Sequence, residues 1–384
     1  GEKTVAVDAF EGNNLVLVDE GHRGASGFEW MDKRNRLCEA GFSFEYSATF
    51  GQAMKAANRP ALTQEYLRCV LFDYSYKYFY RDGYGKDYHI LNLQDDTQED
   101  VRQLYLAACL LVFYQQLLMF RERKVEFRRF LIEHPLWVFV GGSVNAVRTQ
   151  GGRKVSDVLD ILLFLAGFAG DKKSSVRRID QLRKGQAGLL DGHGREIFGN
   201  AFSYLISKGM DSEAIFNDIL KVVFNAPTQA ALHVELLRGT DGEIALKLGD
   251  NDPFGVINVG DAPSLCNLCE DYPERERMGM VVDRKEFSGS LFHGLNNPDT
   301  TVNLLIGSKK FTEGWNSWRV STMGLMNVGR TEGSEIIQLF GRGVRLKGLN
   351  FCLKRSLHVL EAAAPKDIGT IETLNIFGIR ADYM

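Results

Sequence analysis

Short apolar runs that end in turn residues recur along this chain, separated by stretches with helical spacing. Leu15–Val18 runs straight into Asp19, Glu20 and Gly21. A short continuous apolar run bounded by turn residues reads as a buried strand, of the kind a parallel sheet uses. A polar, helical segment around Asp32–Ala40 follows, and then a second strand, Phe42–Tyr46, that stops at Ser47-Ala48-Thr49. The two strand ends lie about 25–30 positions apart, which is the spacing of a β-α-β unit. Glu99–Phe130 reads as one or two helices, and Leu136–Val140 as another buried strand running into Gly141, Gly142 and Ser143. From Phe254 the rhythm returns. Gly255–Val259, Val302–Ile306 and Ser321–Val328 are strands, with helices starting at Gly260-Asp261-Ala262-Pro263 and over Ser334–Leu339. Strands alternating with helices predict an α/β fold with parallel sheets between helical layers. Residues 151–250 interrupt that rhythm as a mainly helical insertion, with an apolar helix at Val155–Phe168 and a second helical pattern at Ala214–Leu237.

Composition changes this picture only in places. A chain of 384 residues suggests two or three domains. The net charge of −3 means that contact with nucleic acid needs a local basic surface. Candidates are Arg121, Arg123, Lys124, Arg128 and Arg129, which a solvated helix face explains equally well, and Lys172, Lys173, Arg177, Arg178, Arg183 and Lys184, for which a solvated loop is the commoner reading. Six cysteines make no dense disulfide framework, which favours the cytoplasm. Cys266 and Cys269 are spaced as a metal pair, but no second pair accompanies them, so they read as packed thiols. Gly1–Phe10 has no signal-peptide shape. Leu104–Phe120 is apolar and flanked by Arg102 and Arg121, yet Gln115 and Gln116 interrupt it. It is also short of the roughly 20 residues of a membrane span, so a helix buried between layers, with no membrane contact, is the expectation. The aromatic stretch Phe72–Tyr80, with Lys77 and Arg81, can stack on exposed bases; core packing of an insertion is the plainer reading.

The polar residues at the strand ends carry the candidate chemistry. Ligands of an open α/β sheet bind beyond the carboxyl ends of its strands, where Asp19 and Glu20 fall. One carboxylate there can hold Mg²⁺ and the next can orient or deprotonate an attacking water; a structural turn also accommodates adjacent acids. Ser47 and Thr49 can link that site to a moving part or simply cap a helix. Gly141 and Gly142 can leave backbone amides open to a phosphate or form a plain turn. In Gln338-Leu-Phe-Gly341-Arg342-Gly-Val-Arg345, two arginines three apart on a helix share a face. That face can offer two guanidinium forks to a phosphate, or make surface ion pairs.

Taken together, Asp19-Glu20-Gly21-His22, Ser47-Ala48-Thr49, Ser308…Gly314-x-Asn316 and Gln338-x-x-Gly341-Arg342-x-x-Arg345 resemble, in this order, motifs II, III, V and VI of superfamily 2 helicases of the DEAD/DEAH type. Within that superfamily the chain is similar to the ATPase/translocase subunit of type III restriction enzymes, over residues 13–50, 134–150 and 300–350. Phe139 to Gly142 match motif IV. The resemblance implies two RecA-like lobes. Residues 1–131 would be the C-terminal part of the first, with a helical extension, and residues 132–384 the second, carrying the 151–250 insertion. It implies ATP and Mg²⁺ as nucleotide and metal, with Asp19 on the metal and Glu20 activating water. His22, Ser47 and Thr49 would couple the nucleotide to nucleic acid, and Ser308 would contact its backbone along with Gly141 and Gly142. Gly314 and Asn316 would approach the nucleotide. Gln338, Arg342 and Arg345 would reach across the lobe interface, the arginines as fingers on the γ-phosphate. The implied partner is DNA, duplex by preference, with a methyltransferase or another defence subunit beside it. A catalytically incomplete binding or assembly module, or an RNA helicase, are the alternatives.

Three departures qualify the resemblance. No Gly-x-x-x-x-Gly-Lys-Ser/Thr loop occurs in the 384 residues, so the first lobe reads as incomplete and the loop as cut off ahead of Gly1 or lost. Asn316 stands where many relatives have Asp. The stretch from Gly142 to Ser308 is too long for a bare lobe, which the insertion explains. No nuclease signature is evident, and a nuclease domain is expected after Met384.

Overall fold

The computed structural model describes residues 5–23, 28–93, 98–141, 148–150, 153–191, 193–240, 242–285, 289–307, 315–326, 333–359, 364–379 and 381. The chain forms two compact units, Gly1–Phe79 with Thr331–Gln338, and Tyr80–Arg330 with Leu339–Met384.

The first unit is the expected β-α-β. Strand β1 (Leu15–Val18), helix α1 (Phe28–Leu37) and strand β2 (Phe42–Glu45) come in turn, and the strands pair in parallel with Leu15 opposite Phe42 and Val18 opposite Glu45. Helices α2 (Phe50–Ala57) and α3 (Pro60–Arg68) follow, and α4 (Tyr76–Arg81) leads into the second unit. The expectation that β1 is buried fails. Leu15 and Leu17 are each 65% exposed and Phe42 is 56% exposed, because the sheet has two strands and no described layer covers that face. Core packing of the aromatic stretch fails as well. Phe72, Tyr74, Tyr76 and Tyr78 are exposed and stack largely on one another, Phe72 on Tyr74 at 5.9 Å and Tyr74 on Tyr78 at 6.5 Å.

The second unit is a nine-stranded, mainly parallel sheet between helical layers. In chain order it holds β3 (Asp87–Leu93), α5 (Glu99–Glu122), α6 (Lys124–Phe127), β4 (Leu136–Gly141), the small hairpin β5 (Arg148–Gln150) and β6 (Arg153–Val155), α7 (Asp157–Gly170), α8 (Lys172–Arg183), α9 (Ser203–Ser207), α10 (Ser212–Val222), β7 (Leu232–Leu237), β8 (Glu243–Leu248), β9 (Gly255–Asn258), α11 (Ala262–Glu270), β10 (Met280–Lys285), β11 (Leu304–Gly307) and β12 (Val320–Met326). Helix α12 (Gly333–Gly343) enters the second unit from Leu339 on, and α13 (Ile368–Ile371) and β13 (Thr373–Ile379) complete it. The strand order is β10-β7-β8-β9-β11-β4-β12-β13-β3, and only β8 runs against the rest. Strand β3 pairs with β13, so β3 and α5 belong to this sheet and not with β1 and β2, where the 131/132 boundary would put them.

Strand β4 shows why the runs are apolar throughout. Its residues are all buried, and successive side chains face opposite layers. Trp137 and Phe139 join the core under α5, α7, α8 and α10, while Leu136, Val138 and Val140 join the core with Leu339 and Val344. Helix α5 is long and apolar enough to cross a membrane by length and composition, but its apolar window is wholly buried in the protein. The two glutamines that interrupt it are tied down: Gln115 donates to Ala201 O, and Gln116 to Thr370 O and Thr373 O. The insertion is less helical than its pattern. Ala214–Leu237 holds most of α10, as expected, and then strand β7, and β7 and β8 extend the main sheet. Cys266 and Cys269 are fully buried on α11, and burial pushes their thiols up to about 11 and about 12, which suits packing and opposes thiolate ligation.

Candidate functional site

The sequence-predicted residues fall into two groups, one in each unit. In the first unit, β1 delivers Asp19 and Glu20 to its carboxyl end and β2 delivers Ser47 and Thr49 beside them. The strand ends are closed by backbone bonds, Tyr46 N–H to Val18 O and Gly21 N–H to Tyr46 O, both 2.9 Å. Gly21 must be glycine for this closure. A Cβ there would sit 2.9 Å from Glu45 Cβ and 3.1 Å from the Phe50 ring. Glu20 adopts a left-handed φ of 53°, a conformation uncommon outside glycine and typical of functional turns. Its amide donates to Asp19 Oδ1 at 3.0 Å.

His22 lies on the short turn Gly21–Arg23 and meets Ser47, 25 residues later: Nδ1 stands 2.7 Å from Ser47 Oγ. Ser47 Oγ also accepts the Thr49 amide at 3.0 Å. Glu20 Oε2 lies 3.3 Å from the same His22 nitrogen, but with Nδ1 committed to Ser47 it has no hydrogen bond among the described residues, although the atom is buried. Thr49 is fully buried and its Oγ1 is equally without a partner there. Helix α2 starts after Thr49 without a side-chain cap from it, so capping does not account for these hydroxyls. Glu20 Oε2 and Thr49 Oγ1 are thus buried oxygens without a hydrogen bond among the described residues, and Asp19 is exposed; oxygen is the donor chemistry that Mg²⁺ and its bound waters take.

A neighbouring cluster was not read from the sequence. Glu45, directly under Gly21, binds the Arg34 guanidinium and accepts the Tyr66 hydroxyl at 2.9 Å. Burial and the Glu45 charge push the Tyr66 hydroxyl up to about 12. The available signal was the acid at the end of β2, one strand from Asp19.

In the second unit, Asn316 and both arginines come together. Arg342, in the last turn of α12, donates to Trp315 O, and Arg345 donates to Asn316 Oδ1. Asn316 is fixed in turn by Asn296, whose side chain donates to Asn316 O at 2.9 Å. Helix α12 ends at Gly343, so the two arginines do not share a helical face as the spacing predicts. Arg345 lies just beyond the helix, and burial alone lowers its pKa. The turn at Gly343 is close-packed, since a Cβ there would sit 2.7 Å from Leu374 and 2.8 Å from Met323 Sδ. Gln338 is half-buried on α12, and Gly341 faces open space. Gly141 ends β4, opposite Met326 of β12. Gly142, Ser308 and Gly314 lie outside the described residues.

Of the basic clusters, that on α8 is half engaged within the fold: Lys172 pairs with Glu213, Lys184 with Asp180, and Arg183 donates to Ser212. Comparison with protein-family models, with curated proteins and with solved structures gives no match.

Proposed function

We propose that this chain is part of an ATP-dependent DNA translocase or helicase of a restriction or DNA-defence system, a cytoplasmic superfamily 2 motor built on RecA-like lobes. The observation that carries the reading is the 2.7 Å contact of His22 with Ser47. It joins the ends of two neighbouring parallel strands at the carboxylates Asp19 and Glu20, which is what a site that hydrolyses a nucleotide and reports the event elsewhere needs. The contact of Arg345 with Asn316 supports it independently.

On this reading ATP is the substrate. Asp19 holds Mg²⁺, which when bound supplies charge neutralisation on the phosphates. Glu20 orients the attacking water and takes its proton; its unpartnered Oε2 is the acceptor available for that. Arg342 and Arg345 offer guanidinium charge to the transferring phosphoryl group. Arg342 donates to the Trp315 carbonyl and Arg345 to the Asn316 amide oxygen, and a guanidinium binds a phosphate more strongly than it binds such neutral acceptors. Ser47 and Thr49 pass the change at His22 to the surface that holds nucleic acid.

The test is ATP hydrolysis by the complete reading frame with duplex DNA, single-stranded DNA, RNA or no polymer, beside Glu20→Gln and Arg345→Ala. DNA-stimulated turnover is expected. Arg345→Ala should reduce it on the order of 10³–10⁵-fold and Glu20→Gln on the order of 10²–10⁴-fold. The 384-residue chain by itself should turn over ATP barely, since it has no Gly-x-x-x-x-Gly-Lys-Ser/Thr. Stimulation by RNA alone would identify an RNA helicase. DNA binding without turnover in all three proteins would replace the motor with a binding or assembly module.

A further inference from the structure

The outer face of the sheet edge β10-β7-β8 carries a cluster that the proposed motor does not use. Strand β7 buries Leu232, Val234 and Leu236 in the main core and turns His233 and Glu235 outward. In the parallel register with β10, Asp283 stands directly opposite Glu235. On the other side, β8 places Lys247 opposite His233. One ring nitrogen of His233 and one carboxylate oxygen each of Glu235 and Asp283 lie within 4.8 Å of one another. His233 Nδ1 is 2.7 Å from Asp283 Oδ2, and Lys247 Nζ is 3.2 Å from Glu235 Oε1.

Each carboxylate thus has one cross-strand partner, Asp283 the His233 ring and Glu235 the Lys247 ammonium, and a repulsion between the two carboxylates remains. Two carboxylates directly opposed on adjacent strands repel and destabilise the pairing. Lys247 pairs with Glu235 alone, and the partner of Asp283 is a histidine, which carries charge only when protonated. A divalent ion seated among Glu235, Asp283 and His233 removes that repulsion. The three side chains rise from paired strands, and β10 is tied from its other face by Arg284 to Glu270 and Asn267 of α11, so the site rests on rigid elements.

We propose that His233, Glu235 and Asp283 form a binding site for a divalent transition-metal ion of the Zn²⁺ class, clamping the edge strand β10 to β7. The imidazole nitrogen selects a borderline ion over Mg²⁺ or Ca²⁺, which prefer all-oxygen sites. Three protein ligands leave a position for water. Lys247 competes with the ion for Glu235.

The experiment is titration of the 384-residue chain with Zn²⁺ alone by calorimetry, repeated with Co²⁺ for its visible absorption, on wild type, His233→Ala, Asp283→Asn and Lys247→Ala. Wild type should bind one equivalent. His233→Ala and Asp283→Asn should weaken Kd by at least about tenfold. Lys247→Ala should tighten it, a gain that a misfolded variant does not produce. The proposal is overturned by the absence of saturable Zn²⁺ binding to wild type, by unchanged affinity in the two ligand variants, or by weaker binding in Lys247→Ala.

Discussion

Ser47 shows how much a single hydroxyl settles. Its oxygen accepts the Thr49 amide and lies 2.7 Å from His22 Nδ1, so one hydroxyl ties the turn after β1 to the turn after β2. Ser47→Ala breaks both links at once. On the proposed function, it should lower the ratio of DNA-stimulated to basal ATP turnover by roughly 2- to 30-fold, a coupling of about 0.5–2 kcal/mol, and Ser47→Thr should restore it. An unchanged ratio in Ser47→Ala would detach this hydrogen bond from coupling. At this scale the sequence was informative where chemistry is local. Asp19, Glu20 and His22 are neighbours in the chain, and Ser47 is one β-α-β unit away. The Glu45–Arg34–Tyr66 cluster was missed because its partners come from three separate elements, and only folding shows that they meet under Gly21.

At the scale of elements, the pairing of β4 with β12 depends on one glycine. Gly324 stands opposite Phe139 in the register, and a Cβ on it would fall 2.3 Å from the Phe139 ring. That ring has no easy retreat, because Trp137 packs on it at 4.6 Å. Gly324→Ala should therefore destabilise the chain by about 1–3 kcal/mol, the usual cost of overpacking a dense core. Phe139→Leu in the same chain should recover part of the loss. Denaturant unfolding of both single variants and the double variant gives the coupling, and strict additivity would show that the ring is not what the methyl group meets. The elements that were legible include strands whose two faces are both buried, such as β4 and β11, which are short apolar runs that end in turn residues. The junction of α10 and β7 was misread although its marks were present. Asn225 adopts a left-handed φ of 54° and Pro227 follows, both helix-ending features. The exposure of β1 and of the aromatic stretch was illegible for a different reason: an apolar pattern shows which face wants cover and not what covers it.

The stability of the molecule as a whole should carry the imprint of one histidine at the amino end of the sheet. His134 precedes β4, stacks on Phe120 of α5 at 5.5 Å, and offers its carbonyl to the buried Arg319 at 2.9 Å. Arg319 also donates to the carbonyls of Leu295 and Val302, so it joins the lead-in segments of β4, β11 and β12. Burial, and then the positive charges of Arg319, Arg121 and Lys124, hold the imidazole down to about 4. In the unfolded chain a histidine takes its proton near 6.5. Between those two values the unfolded state binds a proton that the folded state refuses, so the folded state loses ground as pH falls. The loss should begin near pH 6.5, steepen to at most about 1.4 kcal/mol per pH unit, and level off once the pH passes below about 4. His134→Phe keeps the stacked ring and the carbonyl and removes the titration. Denaturant midpoints at pH 7 and pH 5 should therefore differ less for His134→Phe than for wild type. Equal pH dependence in the two proteins would mean that His134 accepts its proton as readily folded as unfolded, and that the sheet's amino end tolerates a further positive charge beside Arg319.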